Sequence, residues 1–337
     1  MEIGLIAVIV LILGAEFVNG WTDAPNAITT VVSTRTLTLK KAIVLATIFN
    51  IVGVMTGTAV AKTIGQGFVE SEAVNLTTIA AAMSAIILWS TAAWRFGLPT
   101  SESHALVAAL TGAGLATAGF DALLFIGWRN VLIGLFFSTF LGFIAAYLLT
   151  KAIRKGVAPF PPRKTKPLFR WLQVFSSAFM AFSHGSNDGQ KFIGVLALTL
   201  VIGGFTDKFS IPYWVIIACA LTMGIGTSLG GWRIIRTMGL KMVKIDTYQG
   251  FAAESAAGAT ITLASFLTLP LPGGNLNGIP LSTTHTIGTS IVGTSIARRK
   301  TSFNIGVFKK IALAWLLTFP VCGALAFLIT LFLRLIF

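Results

Sequence analysis

The sequence predicts an all-α integral membrane protein built as two inverted-topology repeats of about five spans each. Broken helices and hairpins lie at its midplane, and it has 10–12 transmembrane helices in all. Three observations lead there. Of 337 residues, 55% are hydrophobic and only 11% charged, against about 25% charged in a typical soluble domain. Twenty of the 25 Lys and Arg residues fall in five short interruptions of the apolar sequence. Two polar motifs recur, each present once in either half.

The apolar runs Ile3–Val18, Ala42–Ala61, Thr77–Trp94, Val131–Thr150, Pro212–Gly230 and Ile311–Phe332 approach the roughly 20 residues a helix needs to cross a bilayer. A soluble chain of this size needs far more polar surface to cover its core. Met1-Glu2-Ile3 lacks the positive n-region of a cleavable signal, so the first run is expected to remain as a span. Cys219 and Cys322 lie in apolar runs and read as small hydrophobes.

A net charge of +14 would suit nucleic acid if it covered one face, but its placement follows topology instead. The basic groups are Arg35, Lys40 and Lys41; Arg95; Lys151, Arg154, Lys155, Arg163, Lys164, Lys166 and Arg170; Arg233, Arg236, Lys241 and Lys244; and Arg298, Arg299, Lys300, Lys309 and Lys310. Asp246 is the one acidic residue among them. This is the enrichment expected of cytoplasmic loops, where it also attracts anionic membrane lipid. No nucleic-acid partner is expected.

With these groups inside, the first half crosses at Ile3–Val32, Ala42–Ala61, Thr77–Trp94, His104–Ala118 and Leu123–Thr150. The second crosses at Trp171–Ile202, Pro212–Gly230, Gly250–Leu269, Ser282–Ala297 and Ile311–Phe332, with a Pro/Gly/Asn-rich loop at Pro270–Pro280. An odd count per half inverts the second relative to the first and leaves both termini extracytoplasmic. The expected division is residues 1–150, a basic cytoplasmic linker 151–170, and residues 171–337.

Gly20-Trp21-Thr22-Asp23 returns as Gly185-Ser186-Asn187-Asp188, and Leu98-Pro99-Thr100-Ser101-Glu102-Ser103-His104 as Ile279-Pro280-Leu281-Ser282-Thr283-Thr284-His285. Inverted repeats with polar interruptions are the sequence mark of alternating-access carriers. Gly20 and Pro25 both oppose continuous helix, so a break into two half-helices is expected there. A carboxylate at such depth, Asp23 or Asp188, costs at least about 2.5–3.5 kcal/mol unless paired, and a cation is one such partner. Asp188 and Lys191 stand at helical pairing distance. Pro99 and Pro280 each precede hydroxyl residues that open an apolar run, as at a capped helix N-terminus. Two such N-termini converging in the membrane make an anion site.

All three histidines lie within these motifs, at spacings that match no zinc pattern. His104 and His285 read as braces or proton-sensitive groups. Glu254 reads as a cation or proton group, or as the acceptor of a neighbouring hydroxyl; Glu16 and Glu102 are further intramembrane acids. No nucleotide loop, CxxC or nucleophile elbow occurs, so neither an enzyme nor a cofactor is expected. An intramembrane hydrolase using Ser101, His104 and Asp23 would need one site, whereas each constituent here is duplicated.

These motifs resemble those of the PiT family of inorganic phosphate:cation symporters, over about Gly14 to Gly293. The resemblance implies that Asp23, Asn26, Asn187 and Asp188 bind the coupling cation, Na⁺ or H⁺, with no metal beyond a possible Na⁺. It places the hydroxyls of Thr100, Ser101, Ser103, Ser282, Thr283 and Thr284 at phosphate. Glu254, His104, His285, Gln190 and Lys191 are left as candidates for coupling or gating. It further implies a homodimer in the cell membrane. A sulfate symporter of the same fold and a passive anion channel are the alternatives.

Overall fold

A computed structural model describes residues 2–271, 274–298 and 303–336. Arg299 and Lys300, counted above with the fifth basic group, lie outside these residues, as do Pro272 and Gly273 of the Pro270–Pro280 loop. Among the described residues five helices are long and apolar enough to cross a membrane: Ile3–Ser33, Leu76–Arg95, Glu102–Ala122, Phe125–Val157 and Ile305–Ile336. Two bent pairs pass as single spans, Leu39–Val54 with Ala59–Gly67 (68°) and Tyr213–Ser228 with Trp232–Met242 (60°). The remaining expected spans, Trp171–Ile202, Gly250–Leu269 and Ser282–Ala297, are largely helical and carry about half of the buried polar residues.

The first half comprises α1 (Glu2–Ser33), α2 (Leu39–Val54), α3 (Ala59–Gly67), α4 (Leu76–Arg95), α5 (Glu102–Ala118), α6 (Phe125–Phe136) and α7 (Gly142–Val157). The second comprises α8 (Pro162–His184), α9 (Gln190–Ile202), α10 (Tyr213–Ser228), α11 (Trp232–Ile235), α12 (Thr247–Phe266), α13 (Thr283–Ala297) and α14 (Ile305–Ile336). One feature departs from an all-α reading. Thr268–Leu271 (β1) pairs antiparallel with Gly274–Asn277 (β2) in a hairpin where a loop is expected. The basic stretch 151–170 is also mostly helix, since α7 runs to Val157 and α8 starts at Pro162. Arg154 and Lys155 sit in the last turn of α7, where cations suit the negative end of the helix dipole. Pro162 opens α8, where its missing N–H costs nothing.

Expectation and structure differ at Gly20–Pro25. Helix α1 is continuous from Glu2 to Ser33 with Pro25 inside it. Gly20 is there for close approach: a Cβ would lie 2.3 Å from the Met223 carbonyl oxygen of α10. The Thr22 hydroxyl lies 2.8 Å from the Val18 carbonyl one turn back. The interruption occurs in the second copy instead, as a π-helical turn at Gly185–Gly189 joining α8 to α9. Such turns insert an extra residue and re-aim the neighbouring side chains.

Glycine contacts of this kind come in reciprocal pairs. A Cβ on Gly226 of α10 would meet the Phe17 oxygen of α1 at 2.2 Å. Across the other pair, Gly185 would meet the Asn50 oxygen of α2, and Gly53 of α2 the Phe182 oxygen of α8, each at 2.2 Å. So α1 packs on α10 and α2 on α8, while α5 packs on α14 and α13 on α7. Small residues let membrane helices touch backbone to backbone, where dispersion and lipid release supply the attraction.

The buried apolar side chains form two clusters. One takes in Val8, Ile12 and Ala15 of α1 with Ala105–Leu110 of α5 and Phe192–Leu196 of α9. The other takes in Ala27, Ile28 and Val31 of α1 with Met180 and Ala181 of α8 and Ile287 and Ile291 of α13. Between Ala15 and Ala27, α1 buries Glu16, Asn19, Thr22, Asp23 and Asn26. Between Ala181 and Phe192, α8 and α9 bury His184 through Lys191. A polar belt is thus clamped between two apolar layers, which α1 and α8–α9 traverse in opposite senses. The outside is apolar, with Ile3, Val44, Leu88, Phe125, Leu316 and Phe332 among its exposed side chains. Lipid is the solvent that such a surface fits.

Candidate functional site

The belt is assembled from five elements: α1, the turn between α8 and α9, the N-termini of α5 and α13, and the segment leading into α13. Ser101 and Ser282 are the N-caps of α5 and α13, accepting from the backbone N–H of His104 (3.4 Å) and His285 (3.2 Å). Both helix starts are buried within the protein, and they meet. The rings of His104 and His285 have centroids 4.7 Å apart, and the Ser103 hydroxyl donates to the Leu281 carbonyl at 2.7 Å. Pro, hydroxyl cap and helix therefore do here what their order in the sequence predicts, and two positive dipole ends converge.

Beside them lie the paired carboxylates. Asp188 accepts from the Thr283 hydroxyl at 2.6 Å and has His184 Nε2 at 3.2 Å; its other oxygen accepts from Lys191 Nζ. Lys191 Nζ also donates to Ser103 Oγ and, at 2.7 Å, to the Leu281 carbonyl. Asp23 faces the Thr284 hydroxyl at 3.4–3.5 Å and His184 Nε2 at 4.0 Å. Asn26 donates to Thr284 Oγ1 at 2.9 Å and to Thr283 Oγ1 at 3.4 Å. Ligating atoms of Asp23, His184 and Asp188 all lie within 4.8 Å of one another. An anion placed at the paired N-termini would have hydroxyl groups and the Lys191 ammonium around it, with Asp23, which has no ammonium partner, able to hold a cation alongside.

Not every expected residue faces this centre. Asn187 points its amide away, donating to Ser265 Oγ (2.8 Å) and the Ile279 carbonyl (3.1 Å) and accepting from Leu281 N–H (3.1 Å). It shapes the segment entering α13. Ser282 spends its hydroxyl on the cap and on His285 Nδ1, 2.5 Å away. Thr100 is buried just before the α5 cap. Glu254 accepts from Thr30 and Ser176 (2.5 Å), which is the neighbouring-hydroxyl reading of that residue. His104 stacks on Phe319, and His285 packs on Trp315 with centroids 3.9 Å apart, so both brace the helix starts against α14.

Gln190 sits elsewhere. Its side chain accepts from Val60 N–H and donates to the Thr56 carbonyl, both at 3.1 Å. These are the backbone groups left unpaired by the bend between α2 and α3, where Gly57 takes φ +91°. Gln190 is among the candidates for coupling or gating, and its side chain here pairs backbone groups of a broken helix that lipid cannot satisfy. Gln190→Leu is expected to destabilise the protein by about 1–3 kcal/mol per orphaned group, read as a lower midpoint in thermal unfolding of the detergent-solubilised protein. An unchanged midpoint would remove the bracing role.

Sequence reasoning missed two features. Thr22 of α1 donates to Glu102 Oε1 (3.0 Å), whose other oxygen accepts from Ser90 (2.8 Å), tying α1, α4 and α5 together. His184 stands at the centre of the carboxylate cluster and also has Asn50 Oδ1 3.1 Å from its Nδ1. Its position four residues before Asp188, on the same helical face, was the available signal.

A lipid-facing exterior around a buried belt of duplicated polar motifs is the build of a multi-pass membrane transporter. The match to known proteins narrows that class. The model of the Phosphate transporter family (PHO4) fits residues 19–326, and the chain belongs to this family. It is 37% identical to a "Probable low-affinity inorganic phosphate transporter" of Bacillus subtilis, over 98% of each chain. It is also 37% identical to one of Rhizobium meliloti, over 96% of this chain and 94% of that protein. Among solved structures, "The sodium-dependent phosphate transporter" superposes over the full length of both chains with a TM-score of 0.84 at 22% identity. The fold is shared.

Proposed function

We propose that the chain is a secondary symporter that moves inorganic phosphate with a coupling cation, Na⁺ or H⁺, by alternating access. The observation that carries this reading is the convergence of the Ser101 and Ser282 helix starts beside Asp23 and Asp188. Phosphate is drawn to N–H, hydroxyl and ammonium donors at the helix ends. A cation held by the carboxylates offsets their charge and lets the anion enter a belt that would otherwise repel it. The names of the bacterial relatives point the same way.

In this reading residues 1–150 and 171–337 are inverted repeats joined by the basic segment 151–170. The opposite senses of α1 and α8–α9, and the reciprocal glycine contacts, support that division. The paired helix starts then move apart first on one side and later on the other, while the belt stays fixed. Ser103, Thr283 and Thr284 contact phosphate; Ser101, Ser282 and Thr100 hold the helix ends that do so. The basic segment faces the cytoplasm, the termini face outside, and two copies form the working unit.

Radiolabelled phosphate uptake into proteoliposomes tests this, under an inward Na⁺ gradient and then an inward H⁺ gradient, with excess sulfate as competitor. Accumulation above equilibrium under one gradient, undiminished by sulfate, is expected. Equilibration without accumulation would make the chain a channel, and displacement by sulfate a carrier of that anion.

A further inference from the structure

The two halves of the belt differ at one chemically decisive position. Aligning Asp23 with Asp188 aligns Asn26 with Lys191. Asn26 is neutral and spends its amide on the Thr283 and Thr284 hydroxyls. Lys191 is 1% exposed and gives its ammonium to one carboxylate, one hydroxyl and one backbone carbonyl: Asp188, Ser103 and Leu281. That is the all-oxygen donor set that holds a hard cation. Among the described residues, Asp23 has no ammonium or guanidinium within ion-pair distance; its nearest basic atom is His184 Nε2 at 4.0 Å.

We propose that Lys191 is a resident cation. Its ammonium takes at Asp188 the place that a coupling cation takes at Asp23, so each phosphate travels with one cation fewer than two equivalent motifs would carry. This rests on the symport reading above and adds a stoichiometry to it. The charge argument is direct. A buried carboxylate is tolerated only when paired, and Asp188 is paired from within the chain, three residues away. Asp23 must draw its partner from solution. Lys191 also contacts both helix starts through Ser103 and Leu281, so the resident charge stays in place when the exchangeable one leaves.

Lys191→Asn makes the two motifs equivalent and supplies the test. The phosphate gradient held at equilibrium by a fixed cation gradient is measured in voltage-clamped proteoliposomes. With one cation more per phosphate, a tenfold cation gradient sustains about tenfold more phosphate in the variant than in wild type. An unchanged ratio in a transporting variant would overturn the proposal and leave Lys191 a structural ion pair.

A second measurement does not depend on transport. Thermal unfolding of wild type, Lys191→Asn and the double variant Asp188→Asn/Lys191→Asn is followed in NaCl against choline chloride, and across pH. Lys191→Asn is expected to depend more strongly on Na⁺ or on protons than wild type, which responds through Asp23 alone, and the excess is expected to vanish when Asp188 is also replaced. Identical responses of the single and double variants would overturn the proposal. Failure of wild type to accumulate phosphate would sink the symport reading by itself, and the unfolding result would still stand.

Discussion

Asp23→Asn is expected to abolish cation-driven phosphate accumulation while leaving the protein inserted and folded. Asp23 is 2% exposed and its neighbours are hydroxyl and imidazole groups, so the amide fits the same space and accepts from the same Thr284. What it loses is charge. Breaking one buried ionic partnership costs about 3–5 kcal/mol, which is roughly a 10²- to 4 × 10³-fold loss of cation affinity. Uptake at a cation concentration that saturates wild type should fall to background, with the circular dichroism of a helical protein retained. Accumulation that survives the substitution would remove Asp23 from the cation site.

The second large effect falls on packing. Gly20→Ala and Gly185→Ala each place a methyl 2.2–2.3 Å from a backbone oxygen of a facing helix, Met223 in one case and Asn50 in the other. Neither oxygen can swing aside as a side-chain end would. The helices must separate, and overpacking of this kind costs about 1–3 kcal/mol or more. Each variant should unfold at lower temperature, and Gly185→Ala should also impair uptake, because Gly185 opens the turn that carries Asp188. Equal stability of wild type and both variants would show that these helices do not meet as closely as described.

Much of this was legible in the chain itself. Most of the ten expected spans fall on helix, though Ala42–Ala61 is broken by the bend between α2 and α3 and Gly250–Leu269 ends in β1. The paired caps were legible too, since Pro99-x-Ser101 and Pro280-x-Ser282 name a helix start by local chemistry alone. Local chemistry misled at Gly20 and Pro25. Both residues weaken a helix in isolation, but a glycine also serves wherever another helix passes close, and which role applies depends on the distant residue Met223. The same holds for Gln190, whose partners Thr56 and Val60 lie far away in sequence. The exclusion of Asn187 from the centre turned on Ser265, Ile279 and Leu281, none of which its own motif contains.

The crossed packing of the halves has a consequence for how the protein is made. Helix α5 leaves the ribosome early, yet its wall is α14, the last helix of the chain, and α2 must wait for α8. A nascent first half therefore enters the bilayer carrying Asp23 and Asn26 with their neighbours His184, Thr283 and Thr284 still unsynthesised. Those groups must be sheltered by the insertion machinery or by water until the second half arrives, since hydrocarbon does not tolerate them. A ribosome that stops before Ile305 releases a chain whose α5 keeps its packing on α4 but has lost its larger partner, α14.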